Sequence, residues 1–146
     1  MKYIVLIGRI LFSLIFLMSV PNHFSAPAVE YATSKGVLMP GVLVPLAGIL
    51  ILIGGLSVLL GYKAKWGAWL LVLFLIPVSF WMHDFWNIAD PMMRQMQMIN
   101  FMKNMSLLGG SLIIAFFGSG PLSLDARRTK PDVEEHEYMP QYKKAS

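Results

Sequence analysis

The chain contains no cysteine, and that absence removes disulfides, thiolate metal centres and thiol–disulfide relays from consideration. Any electron handled by this protein must travel through a bound cofactor or a quinone. Charge is scarce as well. Only 14% of the 146 residues are Asp, Glu, Lys or Arg, eight of them acidic, against 56% hydrophobic. With a mean hydropathy of +0.61, this composition excludes an ordinary soluble domain and makes lipid the solvent for most of the chain. The net charge of +4 does not imply nucleic acid, because the basic residues gather at the ends of apolar runs, where they set topology and meet anionic headgroups. A basic face interleaved with aromatics is missing, so nucleic acid is not an expected partner. There is no internal repeat.

Four long apolar runs remain, and they predict an all-α bundle of four transmembrane helices over residues 1–124. Residues 125–146 form a charged cytoplasmic tail, expected to be disordered because aliphatic residues become sparse after Leu124. Tyr3 to Val20 is about 27 Å long as a helix, close to the thickness of a bilayer core. A signal peptide is the rival reading, but Arg9 interrupts the run and no convincing cleavage site follows. Pro21 ends the span. Ser25 as an N-cap, Pro27 early and Gly36 as a stop then predict a short external helix over residues 26–35.

Val42 to Leu60 is the second span, stopped by Gly61. Tyr62 to Lys65 makes a tight turn, and Ala68 to Met82 forms the third span, bent near Pro77. The strictly apolar core of the fourth run, Ser106 to Phe117, is too short to cross alone, so that helix is expected to start between Ile99 and Met105. Lys2, Lys63, Lys65, Arg127, Arg128 and Lys130 collect on one side, against Lys35, Arg94 and Lys103 on the other. This asymmetry places both termini in the cytoplasm of an inner (plasma) membrane protein.

The polarity concentrates in His83 to Asn104, between the third and fourth spans. Ser19/His23 and Ser79/His83 are each four apart, and Asn100, Lys103 and Asn104 share a helix face. The functional reading is an outward-opening pocket formed by His23, His83, Trp86, Lys103 and Asn104, with Asp84 beside it and Phe80, Trp81 and Phe85 able to stack on a flat ligand. The plainer alternative is that these groups satisfy one another and tie down a loop. Two histidines at one level also raise haem, against which stands the position of His23 beyond a proline. A histidine–carboxylate metal site is disfavoured because His83 and Asp84 are adjacent rather than helically spaced. Five methionines between Met92 and Met102 fit adaptable packing better than a copper(I) surface. Arg9 lies deep in the first span and needs either Asp125 as an ion-pair partner or a snorkelling path to phosphate.

The segments GRILFSLIFLMS, PLAGILILIGGLSVLLGYKAKWGAWLL, HDFW, FMKNMSLLGG and GPLSLD, in that order over residues 8 to 125, make the chain resemble the DoxX-like family. The resemblance implies a four-helix inner-membrane protein, with some members associated with quinone-linked oxidoreductases. It places Arg9, His83, Trp86, Lys103, Asn104 and Asp125 at recurring polar positions. Two readings follow. In the first the chain is a membrane subunit of a redox complex, its pocket holding a quinone, with His83 bonding and exchanging a proton with a quinone oxygen, Asp84 tuning His83, and Lys103 meeting negative charge. In the second it is a non-catalytic factor that assembles or anchors other membrane subunits, or copies of itself, through a small-residue face at Ser111, Ala115 and Ser119.

Overall fold

The computed structural model describes residues 2–128, and all regular structure in that range is helical. Helix α1 (Lys2–Ser19) continues into a 3-10 turn, Val20–Phe24, and α2 (Ala26–Ser34) crosses the end of the bundle. Helices α3 (Pro40–Leu60), α4 (Ala64–Met82) and α5 (Pro91–Phe117) complete the bundle, and a short α6 (Leu124–Arg128) follows. The four long segments are each long and apolar enough to cross a bilayer. The protein is thus a multi-pass membrane protein, with an outer end, named from the expected orientation, where α4 stops and α5 begins.

The local signals for α2 act as their chemistry requires. The Ser25 hydroxyl accepts from the Ala28 amide at 3.4 Å, and Gly36 takes φ +70 just past the helix. Gly61 closes α3 in the left-handed region, as a glycine after a helix commonly does. The expected tail is ordered at its start. Leu124–Arg128 is helical, and the Asp125 amide donates to the Gly61 carbonyl at 2.7 Å. The remainder of the expected disordered tail lies outside the described residues.

Helix α4 begins at Ala64, one turn before the expected Ala68, and a larger difference lies at the last span. The last membrane helix begins at Pro91, not between Ile99 and Met105, and runs for 27 residues. Asp90 is its N-cap, its carboxylate accepting from the Met93 amide at 2.8 Å, and Pro91 suits the first helical position because its missing N–H has no helical partner to lose. The Asp-Pro pair started a helix in a stretch whose polarity read as loop.

The hydrophobic core belongs to α1, α3 and α4. Phe16, Ile51, Val58, Ala68, Leu71 and Leu75 form one buried cluster. Helices α3 and α4 approach closely at Gly54 and Gly67, where a β-carbon would collide with Leu71 and Ser57 respectively. Helix α5 contributes differently. Its fully buried residues are Gln97, Asn104 and Ser111, all polar and seven apart, so a polar line on one helical face looks into the bundle, flanked by Leu107, Leu108, Ile114 and Ala115 packed against the core, while Leu112, Ile113, Phe116 and Phe117 turn outward. In lipid that inversion is the stable arrangement, because an apolar exterior costs nothing there and a polar side chain does.

Candidate functional site

Polar groups gather at both ends of this line. At the outer end His83 Nδ1 and Gln97 Oε1 are 2.7 Å apart, with the imidazole N–H as donor. Gln97 Nε2 donates to the Tyr31 hydroxyl at 3.1 Å, and Tyr31 donates to the Met82 carbonyl at 3.1 Å. This chain of bonds fastens α2 to α4 and α5. Beside it Lys35 pairs with Asp84, which also accepts from Asn87 Nδ2 at 3.1 Å, and the Trp81 indole donates to the Lys35 carbonyl at 3.0 Å.

Between these polar groups and the face of α4 lies an open cavity of about 440 Å³. Pro77, Phe80, Trp81 and Trp86 supply its apolar wall, and Lys35, Asp84 and Asn87 its polar rim. The wall is held by edge-to-face contacts. Phe101 packs against Phe80, Phe85 and Trp86 with ring centroids 5.5, 5.6 and 5.7 Å away, an arrangement that fixes the Trp86 plane without covering it. Trp86 remains 48% exposed. The wall can therefore stack on a flat molecule while the rim offers a cation, a carboxylate and an amide to its polar edge.

The residues singled out from sequence occupy several settings. Asp84 and Trp86 line the cavity. His83 is half-buried behind it, committed to Gln97. Lys103 is exposed and donates to Asn100 Oδ1 at 3.1 Å. Asn104 is buried on the inner face of α5. His23 Nδ1 donates to the Ser19 carbonyl at 2.9 Å, and its ring meets Phe74 edge-on at 5.6 Å. Sequence reasoning missed Gln97, Tyr31 and Lys35 as site residues. The signal for Gln97 was available, since it stands seven and fourteen residues before two further polar positions inside one apolar helix. Tyr31 and Lys35 carried no comparable signal, because their role depends on how α2 lies across the bundle.

At the opposite end Arg9 is 5% exposed. Its Nη1 donates to the Ser119 carbonyl at 2.8 Å and its Nη2 to the Leu122 carbonyl at 2.9 Å. Asp125 belongs to the same cluster and attracts the guanidinium electrostatically. Its oxygens accept from the amides of Lys63 at 2.8 Å and Ala64 at 3.1 Å, capping α4, and from the Ser119 hydroxyl at 3.3 Å. Arg9 Nε and the Ser13 hydroxyl, one turn apart, are buried without a partner among the described residues.

The SURF4 family model matches residues 1–130, nearly the whole of this arrangement. The chain belongs to the SURF4 family. This replaces the DoxX-like assignment, which rested on segments each low in sequence complexity. Among similar proteins, the inner membrane protein YphA of Escherichia coli K12 is 29% identical over 126 residues, covering 85% of this chain and 89% of that protein. The inner membrane protein YqjF of the same organism is 32% identical over 123 residues, covering 83% and 88%. The Surfeit locus protein 4 homolog of Drosophila melanogaster is 28% identical over 130 residues, which cover 88% of this chain but 42% of the fly protein. The chain thus spans less than half the length of the fly relative. No solved structure matches it.

Proposed function

We propose that this SURF4-family chain is a membrane binding protein, resident in an inner (plasma) membrane as the names of its two Escherichia coli relatives suggest, whose outer cavity takes up a flat amphipathic molecule of the quinone class. The observation that carries this is the cavity itself, a wall of Phe80, Trp81 and Trp86 under a rim of Lys35, Asp84 and Asn87. A quinone ring stacks on such a wall, and its carbonyl oxygens accept from the Lys35 ammonium or the Asn87 amide. His83 stands behind the rim and supports it through Gln97 and Tyr31.

Service to a quinone-linked oxidoreductase is the finer form of this reading. Its first motive was the DoxX-like resemblance, and with that gone the support is the chemistry of the cavity alone, in which the chain holds the quinone and a partner supplies any electron transfer. The non-catalytic assembly reading draws less support. Of the small-residue face proposed for it, Ser111 and Ser119 are buried inside the bundle. Purification in mild detergent followed by mass spectrometry of extracted small molecules tests the reading. A quinone or comparable flat amphiphile retained at near one per chain supports it, and its absence from the purified protein, together with unchanged partner recovery in a Trp86→Ala variant, favours assembly instead.

A further inference from the structure

A second cavity, also of about 440 Å³, opens at the opposite end of the bundle between the start of α4 and the end of α5. Lys63, Lys65, Trp66 and Phe117 line it, together with the Gly118–Gly120 turn and Asp125. It sits where two membrane spans end, at Ala64 and Phe117, the depth at which lipid headgroups lie. We propose that this cavity binds the headgroup of an anionic phospholipid, with the phosphate held by Lys63 and Lys65 and the upper acyl chain against Trp66 and Phe117.

The charge balance favours an anion. Asp125 is the carboxylate in the lining, and its oxygens accept from the Lys63 and Ala64 amides and the Ser119 hydroxyl. The lining thus holds two lysines to one carboxylate. Arg128 stacks over the Tyr62 ring 4.7 Å from its centroid, and the Lys63 ammonium lies 5.9 Å from the same ring, so a third cation stands near the pair. The geometry is also specific to this end. Gly118 takes φ +84 and turns the chain sharply after α5, and the Lys65 stem lies along it, a β-carbon there coming within 3.3 Å of Lys65 Cε. Trp66 and Phe117 are 74% and 75% exposed, aromatic surfaces of the kind that settle at a membrane interface. An amine-bearing zwitterionic headgroup carries its own cation into the lysine pair and is disfavoured, whereas a headgroup with an uncompensated phosphate is matched by it.

The experiment is native mass spectrometry of the full chain released from mixed micelles holding equal phosphatidylglycerol and phosphatidylcholine. Preferential retention of phosphatidylglycerol is expected. The Lys63→Gln/Lys65→Gln variant is expected to lose about thirtyfold in that preference, from the usual contribution of each lysine near an anionic surface. The Lys63→Arg/Lys65→Arg variant should recover most of it, and Lys103→Gln, at the outer end, should leave it unchanged. Thermal unfolding of each variant in detergent shows that the bundle is intact. Equal retention of the two lipids, an unaltered preference in the glutamine variant, or the same loss in Lys103→Gln overturns the proposal. So does displacement of the lipid by millimolar glycerol phosphate, which marks a site for the free phosphate group.

Discussion

Arg9 Nη1 and the Ser119 carbonyl oxygen, 110 positions apart in sequence, lie 2.8 Å from each other inside the bundle. The guanidinium also holds the Leu122 carbonyl, so one side chain from the first helix closes the end of the chain's last membrane turn. Replacing it with a side chain of similar length and no charge, Arg9→Met, leaves the buried Ser119 bond and the partly buried Leu122 bond without their donor. The expected loss is about 3 kcal/mol, the usual cost of breaking a buried charged network. Reversible unfolding in mixed micelles measures it, and a loss under about 1 kcal/mol, typical of an exposed group, contradicts the buried role.

Gln97 joins three elements through His83 and Tyr31. Gln97→Leu is expected to destabilise by about 1 to 3 kcal/mol, because it leaves the His83 imidazole N–H without its acceptor and the Tyr31 oxygen without its donor, Tyr31 keeping only its bond to the Met82 carbonyl. Its more telling effect is local. Amide exchange across residues 26–35 should accelerate in the variant while α3 is unaffected, since α2 is fastened to the bundle through Tyr31. Uniform acceleration throughout the chain points instead to general loosening.

Much of this was legible in the residues, and the reasons differ by element. Ser25-Ala-Pro27 and Gly36 delimit α2 through local backbone chemistry, which needs no knowledge of the rest of the fold. Asp90-Pro91 carried an equally local start signal, yet the polar run behind it read as loop, because in a membrane helix polar side chains can face inward and the sequence does not say which way they face. That is also why Gln97 was missed while Asn104 was noticed. The site at the outer end joins Lys35 from the α2 connection to Asp84, a contact set by how α2 lies across the bundle rather than by any spacing along the chain.

The Lys35–Asp84 pair is partly buried, with about a fifth of each side chain exposed. A double-mutant cycle with Lys35→Met and Asp84→Asn is expected to return a coupling of about 1 kcal/mol, near the upper end for ion pairs in contact with solvent. Coupling indistinguishable from zero shows that the rim of the cavity is held by the Trp81 and Asn87 bonds alone.

The excess of Lys and Arg around Lys2, Lys63, Lys65, Arg127 and Arg128 predicts that this end of the four-span bundle faces the cytoplasm. A reporter fused after Ser146 should be active only if it folds in the cytoplasm. Activity confined to an external reporter reverses the orientation and turns the aromatic cavity inward.

Binding of a flat amphipathic molecule in the outer cavity is read out by titrating the purified chain with a short-chain quinone while following tryptophan fluorescence. Saturable quenching is predicted, with Trp86→Ala weakening the apparent affinity by about tenfold through the loss of one stacked ring and its apolar area, and with Trp69→Phe, remote from the cavity, leaving the affinity unchanged. Quenching that rises linearly without saturation, or that saturates equally well in the Trp86→Ala chain, contradicts the claim.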